Sequence, residues 1–260
     1  MDGLLAGGAD VVYHLAAVVS GAAEADFDLG LSVNLFGSIN LLEAARRIGT
    51  RPVFVFTSSV GVYGGEAPAP IGDGTVLNPQ ISCGAQKAAV ELLVTDYSRR
   101  GFVDGRAVRV AGVTIRPGRP NAAASSFMSS IFREPLMGEP AVCPVAPDYP
   151  IWYCSPRRTI ENLVHAAEVP ADALGMNRAF ALPGRTDTVA DMIAAMSRVA
   201  GPGPARLIRF EPDERLLAIV KGWRADIVAE KALRLGFVRD AGFEDNVRFF
   251  LEEREAELRR

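Results

Sequence analysis

Apolar positions fall into two alternating textures along the first half of the chain. Ala9-Asp10-Val11-Val12-Tyr13-His14-Leu15 is a short, nearly continuous apolar run bounded by Gly8, the pattern of a buried parallel strand. Val33, Leu35, Phe36, Ile39, Leu42 and Ala45 then recur at helical spacing and stop near Gly49. Pro52-Val53-Phe54-Val55-Phe56-Thr57 reads as a second buried strand. A loop rich in glycine and proline over 64–79 leads into a helix over 82–100, and residues 107–110 with 113–115 give a third strand region. Strand–helix–strand repetition with fully apolar strands predicts an α/β domain, a doubly wound parallel sheet with helices on both faces.

After Arg116-Pro117-Gly118 the texture changes. Residues 121–153 are rich in small residues and proline, 159–168 are helical, and 178–182 read as a strand. An amphipathic helix is expected over 188–200 with Thr186 or Asp187 as its N-cap, then a short strand and two helices within 205–260. The expected organisation is a first domain over 1–120 to which 155–185 return. A smaller α/β lobe is expected from 121–154 and 186–260.

Composition narrows the function classes. The chain has 260 residues, 49% apolar and 23% charged, which suits a soluble globular protein with a large core. A net charge of −3 with scattered Lys and Arg counts against a nucleic-acid partner. Cys83, Cys143 and Cys154, with only His14 and His165, have no metal-type spacing, so no metal is expected. No apolar run reaches the ~18 residues of a membrane helix and none reads as a signal peptide, so a cytoplasmic location and no membrane contact are expected.

Positions 83 and 87 lie one helical turn apart on one face, so a group at 83 shares space with the Lys87 ammonium. With Thr57-Ser58-Ser59-Val60-Gly61-Val62-Tyr63-Gly64 upstream, Ser82-Cys83-Gly84-Ala85-Gln86-Lys87 resembles the active-site segment of the extended short-chain dehydrogenase/reductases, the NAD-dependent epimerase/dehydratase family. His14-Leu15-Ala16-Ala17, Val33-Asn34-Leu35-Phe36-Gly37-Ser38 and Leu235-Gly236-Phe237 match further motifs of that family in the same order. Two longer strings resemble its sugar-acid dehydrogenase group. They are Val19-Ser20-Gly21-Ala22-Ala23-Glu24-Ala25-Asp26-Phe27-Asp28 and the stretch from Pro117-Gly118-Arg119-Pro120-Asn121 to Phe127.

The resemblance implies a Rossmann-like fold, NAD as cofactor and oxidation of a hydroxyl on a short sugar acid. It implies Ser59, the residue at 83 and Lys87 as the catalytic set. Leu15, Ala16, Ala17, Asn34, Ser58, Lys87 and Val113 would line the cofactor. Ser20, Ser59, Asn121 and Arg157 would face the substrate. Arg157 or Arg158 could pair a small carboxylate, and a surface or structural role is equally open. A homodimer through helices 30–48 and 83–100 is also implied.

Two departures bear on activity. The family's acid/base tyrosine is replaced by Cys83, whose sulfur extends roughly 3–4 Å less from Cα, so slow or absent turnover is expected. A thiol of ordinary pKa, about 8.5, could ionise beside a lysine, although a small, half-buried, inert thiol is the blander reading. The glycine-rich turn that cradles pyrophosphate should come about fifty or more residues before His14, and the chain offers only Asp2 to Gly8 before that strand. The expectation is a truncated or mis-started product lacking the first strands, with the strand at 11–15 left as an apolar edge. A nucleotide-sugar epimerase or dehydratase and a non-catalytic ligand-binding protein stand as alternatives. Ser155-Pro156-Arg157-Arg158-Thr159-Ile160 departs from the epimerases' segment there.

Overall fold

A computed structural model describes residue 3, residues 5–118 and residues 124–259. The first half runs β1 (Val11–His14), α1 (Ser20–Ala25), α2 (Phe27–Gly30), a π-helical stretch Leu31–Phe36 and α3 (Gly37–Ile48). It continues with β2 (Val53–Ser59), α4 (Ser82–Arg99) and β3 (Asp104–Val110). Next come β4 (Gly112–Val113), α5 (Phe127–Leu136), β5 (Ala141–Cys143), β6 (Pro150–Cys154), α6 (Pro156–Glu168) and α7 (Ala171–Leu174). The chain closes with β7 (Ala179–Ala181), β8 (Arg185–Thr188), α8 (Val189–Ala200), β9 (Ile208–Phe210), α9 (Glu214–Val220), α10 (Glu230–Arg234) and α11 (Phe243–Leu258).

The fold divides into two compact units. The first comprises 1–110, 162–182 and 228–237; the second comprises 111–161, 183–227 and 238–260. Residues 228–237 therefore join the first unit rather than the lobe expected from the sequence. Val228 N donates to Ile71 O at 2.8 Å, and Phe237 packs edge-on against Phe180 and His165.

The first unit is built on a parallel sheet of order β1-β2-β3-β7, the doubly wound α/β arrangement. Phe54, Phe56 and Ala107 from its strands pack with Leu41, Leu42, Ala44 and Ala45 of α3 and with Val90 and Val94 of α4. β1 departs from the fully buried strand its composition suggests. Val12 and His14 are buried on one face of the sheet while Val11 and Tyr13, on the other, are exposed, and β1 pairs only with β2 among the described residues.

The second unit holds the three-stranded sheet β4-β6-β8 and the two-stranded sheet β5-β9. Its core packs Phe132, Ile131, Ile151 and Tyr153 against Val189, Met192 and Met196 of α8 and Phe243 and Val247 of α11. Thr188, rather than Thr186 or Asp187, caps α8: its Oγ1 accepts from Asp191 N, and the Asp191 carboxylate returns the bond. Thr186 and Asp187 remain in β8. The C-terminal region carries three helices rather than two, since α10 forms as a short turn after Ala229. No helix of the described residues is long and apolar enough to cross a membrane.

Candidate active site

β1, β2 and β3 run parallel and finish at His14, Ser59 and Val110, so their carboxyl ends fall at one edge of the first unit, where open α/β sheets receive ligands. β2 ends in Thr57-Ser58-Ser59 and turns through a single 3-10 turn, Val60–Val62. Ser59 caps that turn, its Oγ accepting from Gly61 N at 3.0 Å. Its hydroxyl proton has no acceptor among the described residues.

α4 starts hard against this turn. A Cβ on Gly84 would lie 2.2 Å from Gly61 O, so only glycine lets the first turn of the helix approach the strand end. That approach brings Cys83 and Lys87 to Thr57–Ser59. Lys87 Nζ donates to Thr57 O at 2.5 Å and sits 4.7 Å from the centre of the Phe56 ring. Burial pushes the Lys87 ammonium down to about 8, with Cys83 and Glu91 partly opposing the shift.

Cys83 is only 7% exposed, so the half-buried reading is corrected. Burial also raises its thiol, and the nearby Lys87 only partly pulls it back. At neutral pH the group at 83 is a neutral thiol rather than the thiolate a lysine neighbour alone would favour.

The helical stripe that carries Cys83 and Lys87 has a third member the sequence reading missed. Glu91 lies one further turn along and accepts from Ser58 Oγ at 2.5 Å. Its carboxylate also receives Arg109 Nε at 2.9 Å and Arg109 Nη2 at 2.7 Å, a two-pronged pair between α4 and β3. Arg109 Nη1 donates in turn to Tyr63 Oη at 2.6 Å. The i, i+4 spacing from Lys87 was the available signal.

Asn34 lies in the π-helical stretch and is buried. Its Oδ1 accepts from Val18 N at 2.8 Å and its Nδ2 donates to Val18 O at 2.9 Å, while the Gln86 side-chain amide lies 2.7 Å away. Asn34 thus clamps the loop that follows β1. Leu15 and Ala16 are exposed and Ala17 half-exposed, and Thr57 Oγ1 donates to His14 O at 3.1 Å, tying that loop to the residue whose carbonyl holds Lys87. Open backbone with small side chains beside a buried ammonium fits the ribose and nicotinamide end of NAD.

The remaining candidates are dispersed. Ser20 opens α1 in the first unit. Val113 lies in β4 and Arg157 in α6, both within the second unit, and Asn121 lies outside the described residues. Arg157 is bonded to Glu252 at 2.9 Å and Glu253 at 3.4 Å, with its guanidinium 4.0 Å from the Phe249 ring centre. Arg158 pairs with Glu161 at 2.5 Å. No group of three or more His, Cys, Asp or Glu placed to hold a metal ion occurs among the described residues.

The chain is similar to known proteins. D-erythronate dehydrogenase of Cupriavidus necator is 53% identical over 93% of this chain and 75% of its own length. D-erythronate dehydrogenase of Haemophilus influenzae is 44% identical over 97% of this chain and 80% of its own. A crystal structure described as the nucleoside-diphosphate-sugar epimerase of Agrobacterium tumefaciens superposes with a TM-score of 0.93 at 43% identity, covering 96% of this chain and 75% of that one. The profile of the NAD dependent epimerase/dehydratase family matches residues 1–159. That match spans more than half of the sequence, and the chain belongs to the NAD dependent epimerase/dehydratase family.

Proposed function

We propose that this protein is of an NAD-dependent dehydrogenase lineage acting on a hydroxyl of a short sugar acid, and that Cys83 impairs its turnover. The observation that carries this reading is the placement of a neutral, buried thiol on the helical stripe of Lys87 and Glu91, one turn before the lysine that meets Thr57. NAD, when bound, supplies the hydride acceptor. Ser59 orients the substrate oxygen with its unclaimed hydroxyl proton. Lys87 supplies positive charge to the ribose end. The group at 83 must take the hydroxyl proton, and a cysteine sulfur there needs one bridging water to reach it. The first unit holds cofactor and chemistry in this scheme.

The sugar-acid assignment is supported by relatives that carry the name D-erythronate dehydrogenase along most of this chain. A nucleotide-sugar epimerase reading draws on the Agrobacterium structure's description. Against it, Arg157 and Arg158 are both paired to carboxylates and leave no guanidinium of that segment for a diphosphate. The neutral Cys83 thiol favours a third reading, a ligand-binding protein without turnover.

One assay sorts the three. Cys83→Tyr protein is supplied with NAD and four-carbon sugar acids, and separately with UDP-hexoses. NADH formation with the acids supports the dehydrogenase reading, and hexose epimerisation supports the second. NAD or sugar-acid binding without turnover in either form supports the third.

Phe36 and Leu92 stand exposed on the π-helical stretch and on α4, which suits a homodimer through helices 30–48 and 83–100. Sedimentation at micromolar concentration tests it: a monomer overturns the dimer. A cytoplasmic location is part of the same reading.

A further inference from the structure

The π-helical stretch before α3 is held by groups that none of the site chemistry above uses. Its widened register is marked by Gly37 N, which donates to Ser32 O five residues back. Asn34, inside the stretch, has its own carbonyl bonded from the side by Ser38 Oγ at 2.6 Å. That same oxygen lies 2.7 Å from His14 Nε2, at the end of β1. His14, Ser38 and Asn34 are all buried, and the His14 ring rests on Phe54 and Phe56.

Counting protons fixes the direction of this chain. A hydroxyl has one hydrogen, and a separation of 2.6 Å between Ser38 Oγ and Asn34 O requires it, because a carbonyl oxygen can only accept. Ser38 Oγ must then accept from His14, so Nε2 carries the imidazole proton and Nδ1 carries the lone pair. The order is His14 Nε2–H to Ser38 Oγ–H to Asn34 O. Asn34 in turn grips Val18 N and Val18 O with its side-chain amide. One unbroken set of hydrogen bonds thus runs from the end of β1, through the helix, to the loop that follows β1.

We propose that His14 and Ser38 are positioning residues: the Nε2–H tautomer of His14 pins the Ser38 hydroxyl to the Asn34 carbonyl and thereby holds the Asn34 amide on Val18, shaping loop 15–19 for a nicotinamide cofactor. This deepens the dehydrogenase reading and rests on it for the identity of the ligand. Burial keeps His14 neutral, pushing it down to about 4 with the help of nearby Lys87, as a fixed donor requires. The histidine acts here by the place of one proton, not by charge.

The test uses His14→Gln, His14→Leu and Ser38→Ala. A glutamine Nε2 can replace the histidine Nε2–H donor, and leucine cannot. Nitrogen NMR of the unliganded protein is expected to show His14 as the Nε2–H tautomer. Hydrogen exchange at the Val18 amide is expected to quicken about tenfold in His14→Leu and Ser38→Ala, with near wild-type protection in His14→Gln. NADH affinity, read by fluorescence, is expected to fall in the same two variants and recover in His14→Gln. An Nδ1–H tautomer, or unchanged Val18 exchange in both His14→Leu and Ser38→Ala, overturns the pair. Wild-type protein that binds no NADH overturns the cofactor reading instead, and tautomer and exchange still decide the pair.

Discussion

Lys87 Nζ lies 2.5 Å from the main-chain oxygen of Thr57, and this contact ties the helix carrying the site to the strand that ends in Ser59. The ammonium is buried and rests over the Phe56 ring, and its proton affinity drops to about 8. Between pH 8 and the unfolded value of 10.5 the unfolded chain binds one more proton than the folded one, so stability rises with pH across that window. Denaturation at pH 7.5 and pH 10 in wild type and Lys87→Met should show a gain of roughly 1–3 kcal/mol in wild type only. Parallel pH responses in the two proteins would place the lysine in water.

His14 gives a test of the same sign at acid pH. Its folded value is near 4 against 6.5 unfolded, so below pH 6.5 the unfolded chain binds the extra proton and stability falls until about pH 4. Replacing it with glutamine removes that proton. The fall between pH 6.5 and 4.5 should shrink by on the order of 2 kcal/mol in His14→Gln, read by urea midpoints at each pH.

Gly84 is where the helix and the strand end meet. A methyl group there would sit 2.2 Å from Gly61 O and 2.9 Å from its carbon, both backbone atoms that cannot swing aside. Gly84→Ala should cost about 1–3 kcal/mol of unfolding free energy even though alanine favours helix, because overpacking wins. A neutral or stabilising effect would mean the helix start is not held against the turn.

The Arg109–Glu91 pair is buried on both sides, with side-chain exposures of 5% and 2%. Removing one partner leaves a charge in the core, so Glu91→Gln should cost about 3–5 kcal/mol. Replacing both by apolar residues should cost much less than the sum of the single changes, which a double-mutant cycle measures. Arg157→Ala is the contrast. Its pairs with Glu252 and Glu253 are partly exposed, and the change should stay under about 1 kcal/mol.

The parallel sheet could be read from the runs at 11–15, 52–57 and 107–110, because strands covered on both faces have few polar positions. The exposure of Val11 and Tyr13 could not, since the same four residues are buried or open according to what lies beside the sheet. Cys83 and Lys87 were legible from the resemblance to the family's active-site segment, and helical spacing put them on one face. Their ionisation was not: whether a thiol beside an ammonium ionises depends on desolvation, which only the folded packing sets. Glu91 and Arg109 are far apart in sequence and ordinary as residue types, so their pairing appears only when α4 crosses β3. The same holds for His14 and Ser38, which meet across a π-helical register that periodicity does not announce. The N-cap of α8 moved to Thr188 because Asp191 completes its capping box, a local pattern that was present in the sequence.

Under the proposed function, Cys83 is the residue that limits turnover. A tyrosine at 83 would extend the acidic group by roughly 3–4 Å toward the substrate, and a positioned general base contributes about 10²–10⁴-fold. The direct measurement is kcat/KM for NAD reduction with a four-carbon sugar acid, in wild type and Cys83→Tyr side by side. The account predicts little or no turnover in wild type and a gain of about 10²-fold or more in the variant. Comparable turnover in the two proteins would contradict it.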